Sequence, residues 1–131
     1  MTPKNLFIFS SVILLAFGLP LLFAPQAISD MYAVDKSALS GIALHVYRVY
    51  GALLIAFGIG GFASLKAGPS YARRGLLLII VVNAFLLLIL HILAIKNGVE
   101  NSLAWSIVLI SAVITVWAGL LLSKEKAADF K

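Results

Sequence analysis

Among the polar residues inside the long apolar stretches of the chain, four have types and spacing that suit chemistry in a membrane. His45 and Arg48 fall early in the second of four apolar runs, while Asn83 and His91 fall in the third. These two runs cross a membrane in opposite directions, so both histidines are expected about 6 Å below the same boundary, with Arg48 one turn deeper. Polar side chains within a span are expensive and usually have a function. These four residues are therefore candidates for one ligand-binding pocket, on which they could converge.

Three kinds of ligand suit such a pocket. His45 and His91 could serve as axial ligands of haem b, with Arg48 beside a propionate, or they could hydrogen-bond a quinone or a lipid headgroup. A structural role is the favoured interpretation for each residue. Arg48 and His45 could lie at the interface, where a long side chain extends to water at little cost. His91 could pack as a neutral side chain, and Asn83 could make an interhelical hydrogen bond.

The elements that carry these residues are long apolar runs in a chain of 131 residues that is 63% hydrophobic and 11% charged. The length of each run is close to the roughly 20 residues that a helix needs to cross a bilayer. The four predicted spans are residues 6–23, 41–65, 75–95 and 103–122. Segment 24–40 is predicted to be the longest loop, with Ser40 capping the next helix. The prediction is thus an all-α, integral membrane four-helix bundle, with residues 1–131 forming one transmembrane domain.

The distribution of lysine and arginine predicts the orientation. With four spans, both termini and the second loop share a side. That side carries seven basic residues: Lys4, Lys66, Arg73, Arg74, Lys124, Lys126 and Lys131. The opposite side carries two, Lys36 and Lys96. The positive-inside rule therefore favours an N-in, C-in arrangement.

A ridge of small residues predicts how the second span packs. A small side chain recurs at every fourth position of this span, at Ala52, Ala56, Gly60 and Ser64. Such a ridge lets a neighbouring helix approach closely in lipid. Packing within the bundle is the favoured interpretation, and an interface between copies of the chain is the alternative.

Composition excludes several classes of function. The chain has no cysteine, which excludes disulfides and thiolate catalysis. No Asp or Glu falls in any span, which argues against a proton-coupled carrier. HExxH, GxSxG and Walker motifs do not occur, so no catalytic residue or metal site is predicted. The net charge is +5, and most of the lysines and arginines that produce it flank the spans. They do not cluster on one face, so nucleic acid is not an expected partner.

These absences and the short loops favour a non-catalytic membrane protein that packs as an accessory beside another membrane component. Its partners would then be the lipid bilayer, a second membrane protein or another copy of the chain, and no cofactor is expected. The first alternative is the haem b or quinone module described above. A weaker alternative is a small uncoupled channel lined by Ser10, Asn83, Ser111 and Thr115.

Two short motifs carry a resemblance. Residues 18–25 read GLPLLFAP, so the first span ends in Leu-Phe-x-Pro, and residues 48–52 read RVYGA near the start of the second span. Together they resemble uncharacterised small bacterial four-span membrane proteins. The resemblance implies a bacterial inner membrane and gives structural weight to Arg48 and Gly51, but it implies no activity.

Overall fold

The computed structural model describes residues 2–125, and it is helical almost throughout. The helices are α1 (Pro3–Phe23), α2 (Pro25–Tyr32), α3 (Gly41–Ala63), α4 (Tyr71–Lys96) and α5 (Trp105–Lys124), with a 3-10 turn at Ser102–Ala104 before α5. Four of them, α1, α3, α4 and α5, are long and apolar enough to cross a membrane. The all-α membrane bundle is therefore confirmed. Lys126 and Lys131, which count towards the predicted orientation, lie outside the described residues.

Side-chain caps fix where the spans begin. The Ser40 hydroxyl accepts a hydrogen bond from the Ala43 amide at 3.2 Å, as predicted for the start of α3. Ser70 accepts from the Arg73 amide at 3.2 Å in the same way, which starts α4 four residues earlier than predicted. Helix α1 ends at Phe23, because Pro25 disfavours the helical conformation of the residue that precedes it.

The predicted loop between the first two spans contains α2, which the sequence analysis did not anticipate. Pro25 occupies the first turn of α2, where a missing amide proton costs nothing. Pro25 and Ser29 are buried, because α2 packs against α1, α3 and the 3-10 turn. The helix thereby covers one end of the bundle, which we call the roofed end.

Helix α2, which we call the roof, is tied to the loop between α4 and α5 by hydrogen bonds to its last residues and to Ala33. An isolated antiparallel β-bridge joins Ala33 to Glu100. Beside it the Asn101 backbone nitrogen donates a hydrogen bond to the Tyr32 carbonyl at 2.8 Å. The Asn101 side-chain nitrogen donates another to the Met31 carbonyl, also at 2.8 Å. These bonds satisfy backbone groups at the end of α2 and hold it over the bundle.

The four spans pack as two antiparallel pairs. The most extensive contacts join α1 to α3 and α4 to α5, and smaller ones join α1 to α5. Helices α3 and α4 are not packed against each other along their length. The bundle therefore has a tight interface within each pair and a looser junction between the pairs.

Glycines allow α1 and α3 to approach closely. A Cβ atom placed on Gly51 would lie 2.6 Å from the Leu22 amide nitrogen and 2.8 Å from the Gly18 carbonyl oxygen. A Cβ on Gly58 would lie 3.0 Å from the Leu15 side chain. The face of α3 that meets α1 is thus defined by Gly51 and Gly58.

The predicted small-residue ridge is not this face. Ala52 and Ala56 are exposed, and a Cβ on Gly60 would meet nothing within 4 Å. The Ser64 hydroxyl bonds back to the Gly60 carbonyl at 2.8 Å. At about 100° per residue, the ridge falls on the opposite side of α3 from Gly51. The packing face therefore differs from the predicted one, because small residues occur on both sides of this helix.

Apolar side chains fill the end of the bundle opposite the roof. Its buried cluster consists of Leu6, Phe7, Leu77, Ala84, Ile114, Ala118 and Leu121. At the same end, Arg73 forms an ion pair with the buried Glu125, and Arg74 donates to the Glu125 carbonyl. The first turn of α4 is thus fastened to the end of α5.

Candidate ligand-binding site

A cavity of about 220 Å³ lies beneath α2, between the two helix pairs. All four spans contribute to its walls, most of which are aliphatic. Polar side chains lie at its two ends. Tyr32, Tyr47, His91 and Glu100 lie at the roofed end, and Ser10, Asn83 and Ser111 lie at the deep end. We call this space the roofed cavity.

His91 and Glu100 form a hydrogen-bonded pair at the roofed end. His91 Nδ1 lies 2.7 Å from Glu100 Oε2, and the two side chains are 20% and 19% exposed. The chain turns sharply after α4 at Gly98, whose φ of 70° is readily adopted by glycine, and this turn brings Glu100 back beside His91. The carboxylate orients the imidazole. When a neutral His91 donates its Nδ1 proton to Glu100, Nε2 is left as a hydrogen-bond acceptor.

Aromatic side chains form the wall facing this pair. Tyr47 and Tyr50 lie about one turn apart on α3 and line the cavity. The ring of Tyr32 in the roof lies 6.3 Å from the ring of Phe17, within the range of favourable aromatic packing. Each tyrosine combines a large apolar ring with one hydroxyl, so this end suits a ligand head that is flat or compact and hydrogen-bonding.

The deep end contains a polar group with no partner. Ser10 is 4% exposed, and its Oγ makes no hydrogen bond within residues 2–125. Asn83 also lines this end, and no hydrogen bond joins its amide to another described residue. A buried hydroxyl without a partner is unfavourable, so a ligand or water that bonds to Ser10 would stabilise the protein.

The structure brings two of the four predicted site residues into this cavity. Asn83 and His91 both line it, about 12 Å apart along α4. His45 and Arg48 are exposed and do not line it. His45 precedes Tyr47 by two residues, which turns it about 200° away from the cavity face of α3. His45 and His91 therefore do not line one cavity, as the predicted bis-histidine pocket for haem b requires.

Sequence reasoning missed Glu100 and the tyrosines. A signal for Glu100 was present, because it follows His91 by nine residues across the tight Asn97-Gly98 turn. Nothing in the sequence alone marked Tyr47 or Tyr50 as facing the bundle interior.

The predicted channel lining is also divided by the structure. Ser10, Asn83 and Ser111 line the cavity, whereas the Thr115 hydroxyl donates to the Ser111 carbonyl at 2.7 Å. The apolar cluster lies beyond this cavity, towards the termini. Three of the four predicted channel residues therefore line the roofed cavity, and Thr115 does not. Among the described residues, no group of three or more His, Cys, Asp or Glu side chains is arranged to hold a metal ion.

No protein-family model, curated protein or solved structure matches the chain. The function must therefore be argued from the geometry of the cavity.

Proposed function

We propose that this chain is a small integral membrane protein that binds a small amphiphilic molecule in the roofed cavity. The observation that carries the proposal is the polar pair His91–Glu100, 2.7 Å apart, at one end of a mostly apolar cavity covered by α2. Pockets of this kind, mostly apolar with a few convergent polar groups, are typical of small-molecule sites. The unpartnered Ser10 hydroxyl at the deep end supports the same function.

The proposal includes the predicted orientation. An N-in, C-in arrangement in a bacterial inner membrane would place the roofed end on the outer side. The His91 imidazole would then lie about 8 Å below the outer end of α4, deep enough to meet a molecule that is dissolved in the membrane.

A matched pair of histidine variants tests the binding site. The probe is 4-ethylphenol, which has one hydroxyl on a compact ring, and binding is measured by calorimetric titration of the detergent-solubilised protein. His91→Ala should weaken binding at least tenfold, equivalent to about 1.4 kcal/mol. His45→Ala should leave it unchanged, because His45 is exposed and lines no part of the cavity.

The His45→Ala protein also controls for partition of the phenol into detergent, since that partition is the same for all three proteins. Saturable binding that is lost only in His91→Ala supports the proposal. Equal binding by all three proteins, or no saturable binding by any, overturns it.

The accessory role predicted above stays a second candidate, supported by the short loops between the spans. Isolation in mild detergent tests it. A specific membrane protein that co-purifies in stoichiometric amount supports it, and a clean monomer counts against it.

A further inference from the structure

A second cavity lies on the side of the bundle, where α3 and α4 are not packed together. It measures about 430 Å³ and is lined by α1, α3 and α4, with Phe57 and Gly61 on one wall and Leu86 on the other. Its lining is almost entirely apolar, and α4 contributes the exposed side chains Ile79 and Val82. We call this the side cavity.

The side cavity meets the roofed cavity in the middle of the bundle. Ser10, Leu14, Ile80 and Asn83 line both spaces. The two cavities are therefore adjacent, and the path for a chain attached to a head beside His91 passes between these shared residues. It runs about 12 Å along α4 to Asn83, and then turns outward between α3 and α4.

We infer that the ligand is a single-chain amphiphile with a hydroxyl-bearing head, and that its chain leaves the bundle through the side cavity. This inference rests on the proposed function, since it assigns the head to the roofed cavity. The roofed cavity, of about 220 Å³, has to hold both the head and the first part of the chain, so we assign a ligand with one chain.

The hydrogen bonding of His91 selects the head. With Nδ1 engaged by Glu100, the Nε2 lone pair of a neutral imidazole accepts a hydrogen bond. A hydroxyl donates that bond, whereas an ether or an ester cannot. Phenols, quinols and prenols or other long-chain alcohols share this chemistry.

One of the unpartnered buried groups of the bundle lies where the two cavities meet. Ser10 is buried, yet its hydroxyl makes no hydrogen bond within residues 2–125. It lies where the chain must bend from one cavity into the other, beside the Asn83 amide. A polar substituent on the chain, or a single water beside it, would satisfy both groups.

The test uses probes that share a head and differ in their chains. Wild-type protein is titrated with 4-ethylphenol, 4-dodecylphenol and 4-dodecylanisole, whose hydroxyl is methylated. The variant Leu86→Trp places an indole in the side cavity. Leu90→Trp, one turn further along α4, is the matched control, because Leu90 lines neither cavity. Leu86 is 52% exposed and Leu90 60%, so both sites have room for the larger ring.

Leu86→Trp should weaken 4-dodecylphenol binding at least tenfold and leave 4-ethylphenol binding unchanged, while Leu90→Trp affects neither. The anisole should bind at least tenfold more weakly than the phenol. If 4-ethylphenol binds but Leu86→Trp has no effect on the long probe, the assigned chain route is wrong and the proposed function stands. If the anisole binds as well as the phenol, the hydroxyl assignment is wrong. If neither phenol binds, the proposed function itself fails.

A photolabel on the wild-type protein gives a readout that does not depend on variants. A diazirine at the end of the dodecyl chain of the phenol should label Phe57 on α3 and residues 76–86 of α4. Labelling confined to α2 or to the Ala52–Ala56 face of α3 overturns the route. Equal labelling of the same residues by a phospholipid with a diazirine in its chain also overturns it, since ordinary bilayer chains would then occupy the side cavity.

Discussion

Replacement of Gly51 by alanine tests the close approach of α1 and α3. The added Cβ would lie 2.6 Å from the Leu22 amide nitrogen and 2.8 Å from the Gly18 carbonyl oxygen. Both are backbone atoms, so no side-chain rotation relieves the overlap. The shorter distance is about 0.8 Å less than the smallest ordinary van der Waals separation of 3.4 Å, and the two helices must move apart by a similar amount. Overpacking of this kind typically costs about 1–3 kcal/mol.

Gly60→Ala is the matched control on the same helix. A Cβ at this position meets nothing within 4 Å. Alanine is favoured over glycine in a helix by about 0.5–1 kcal/mol, so this variant should be as stable as the wild type or slightly more stable. The same propensity gain applies at Gly51, and the difference between the variants therefore isolates the contact with α1.

Reversible unfolding in mixed micelles of increasing SDS content, followed by circular dichroism, measures both free energies of unfolding. Gly51→Ala should unfold with a free energy about 1–3 kcal/mol lower than that of Gly60→Ala. A Gly51→Ala protein as stable as Gly60→Ala would show that α1 and α3 do not meet at this glycine, and the assignment of the packing face would be wrong.

Three further outcomes follow from the roof, the ion pair and the orientation. Asn101→Ala removes two side-chain hydrogen bonds to the segment that forms the roof. Hydrogen exchange of the backbone amides of residues 25–34 should therefore accelerate about 5- to 30-fold. The control Asn97→Ala should leave their exchange unchanged. Exchange that is the same in both variants would contradict the role of Asn101. Arg73→Ala leaves the buried Glu125 carboxylate without its ion-pair partner, so the free energy of unfolding in SDS should fall by about 1–3 kcal/mol. No loss of stability would mean that this ion pair does not fasten α4 to α5. Because the chain has no native cysteine, Asp35→Cys should react with an impermeant maleimide on intact cells and Gly68→Cys only after lysis; the reverse pattern refutes N-in, C-in.

The sequence was sufficient to predict the spans, because run length alone decides whether a helix can cross hydrocarbon. Helix ends were harder to place. Ser40 caps α3 as predicted, whereas α4 begins four residues early because Ser70 supplies an equivalent cap. Helix α2 escaped prediction because its eight residues carry no long apolar run, and its stability depends on packing against other elements.

The candidate site was only partly predictable, since a sequence gives depth along a helix more reliably than direction around it. His45 and His91 were placed at similar depth, yet they differ in direction, and only His91 lines the roofed cavity. The same ambiguity affected α3, where both Gly51 and Gly60 are small. Which one meets a neighbour depends on the facing helix, and that information lies in the fold.

The hydrogen bonds between the roof and Asn101 bear on how the protein is made. The first helix pair is synthesised before the second, but the segment that secures α2 lies just before the last span. A nascent chain that carries only α1 to α3 has an interface of its own and no enclosed cavity. The pocket is therefore finished late in synthesis, and a ligand cannot be trapped before the last span begins to emerge.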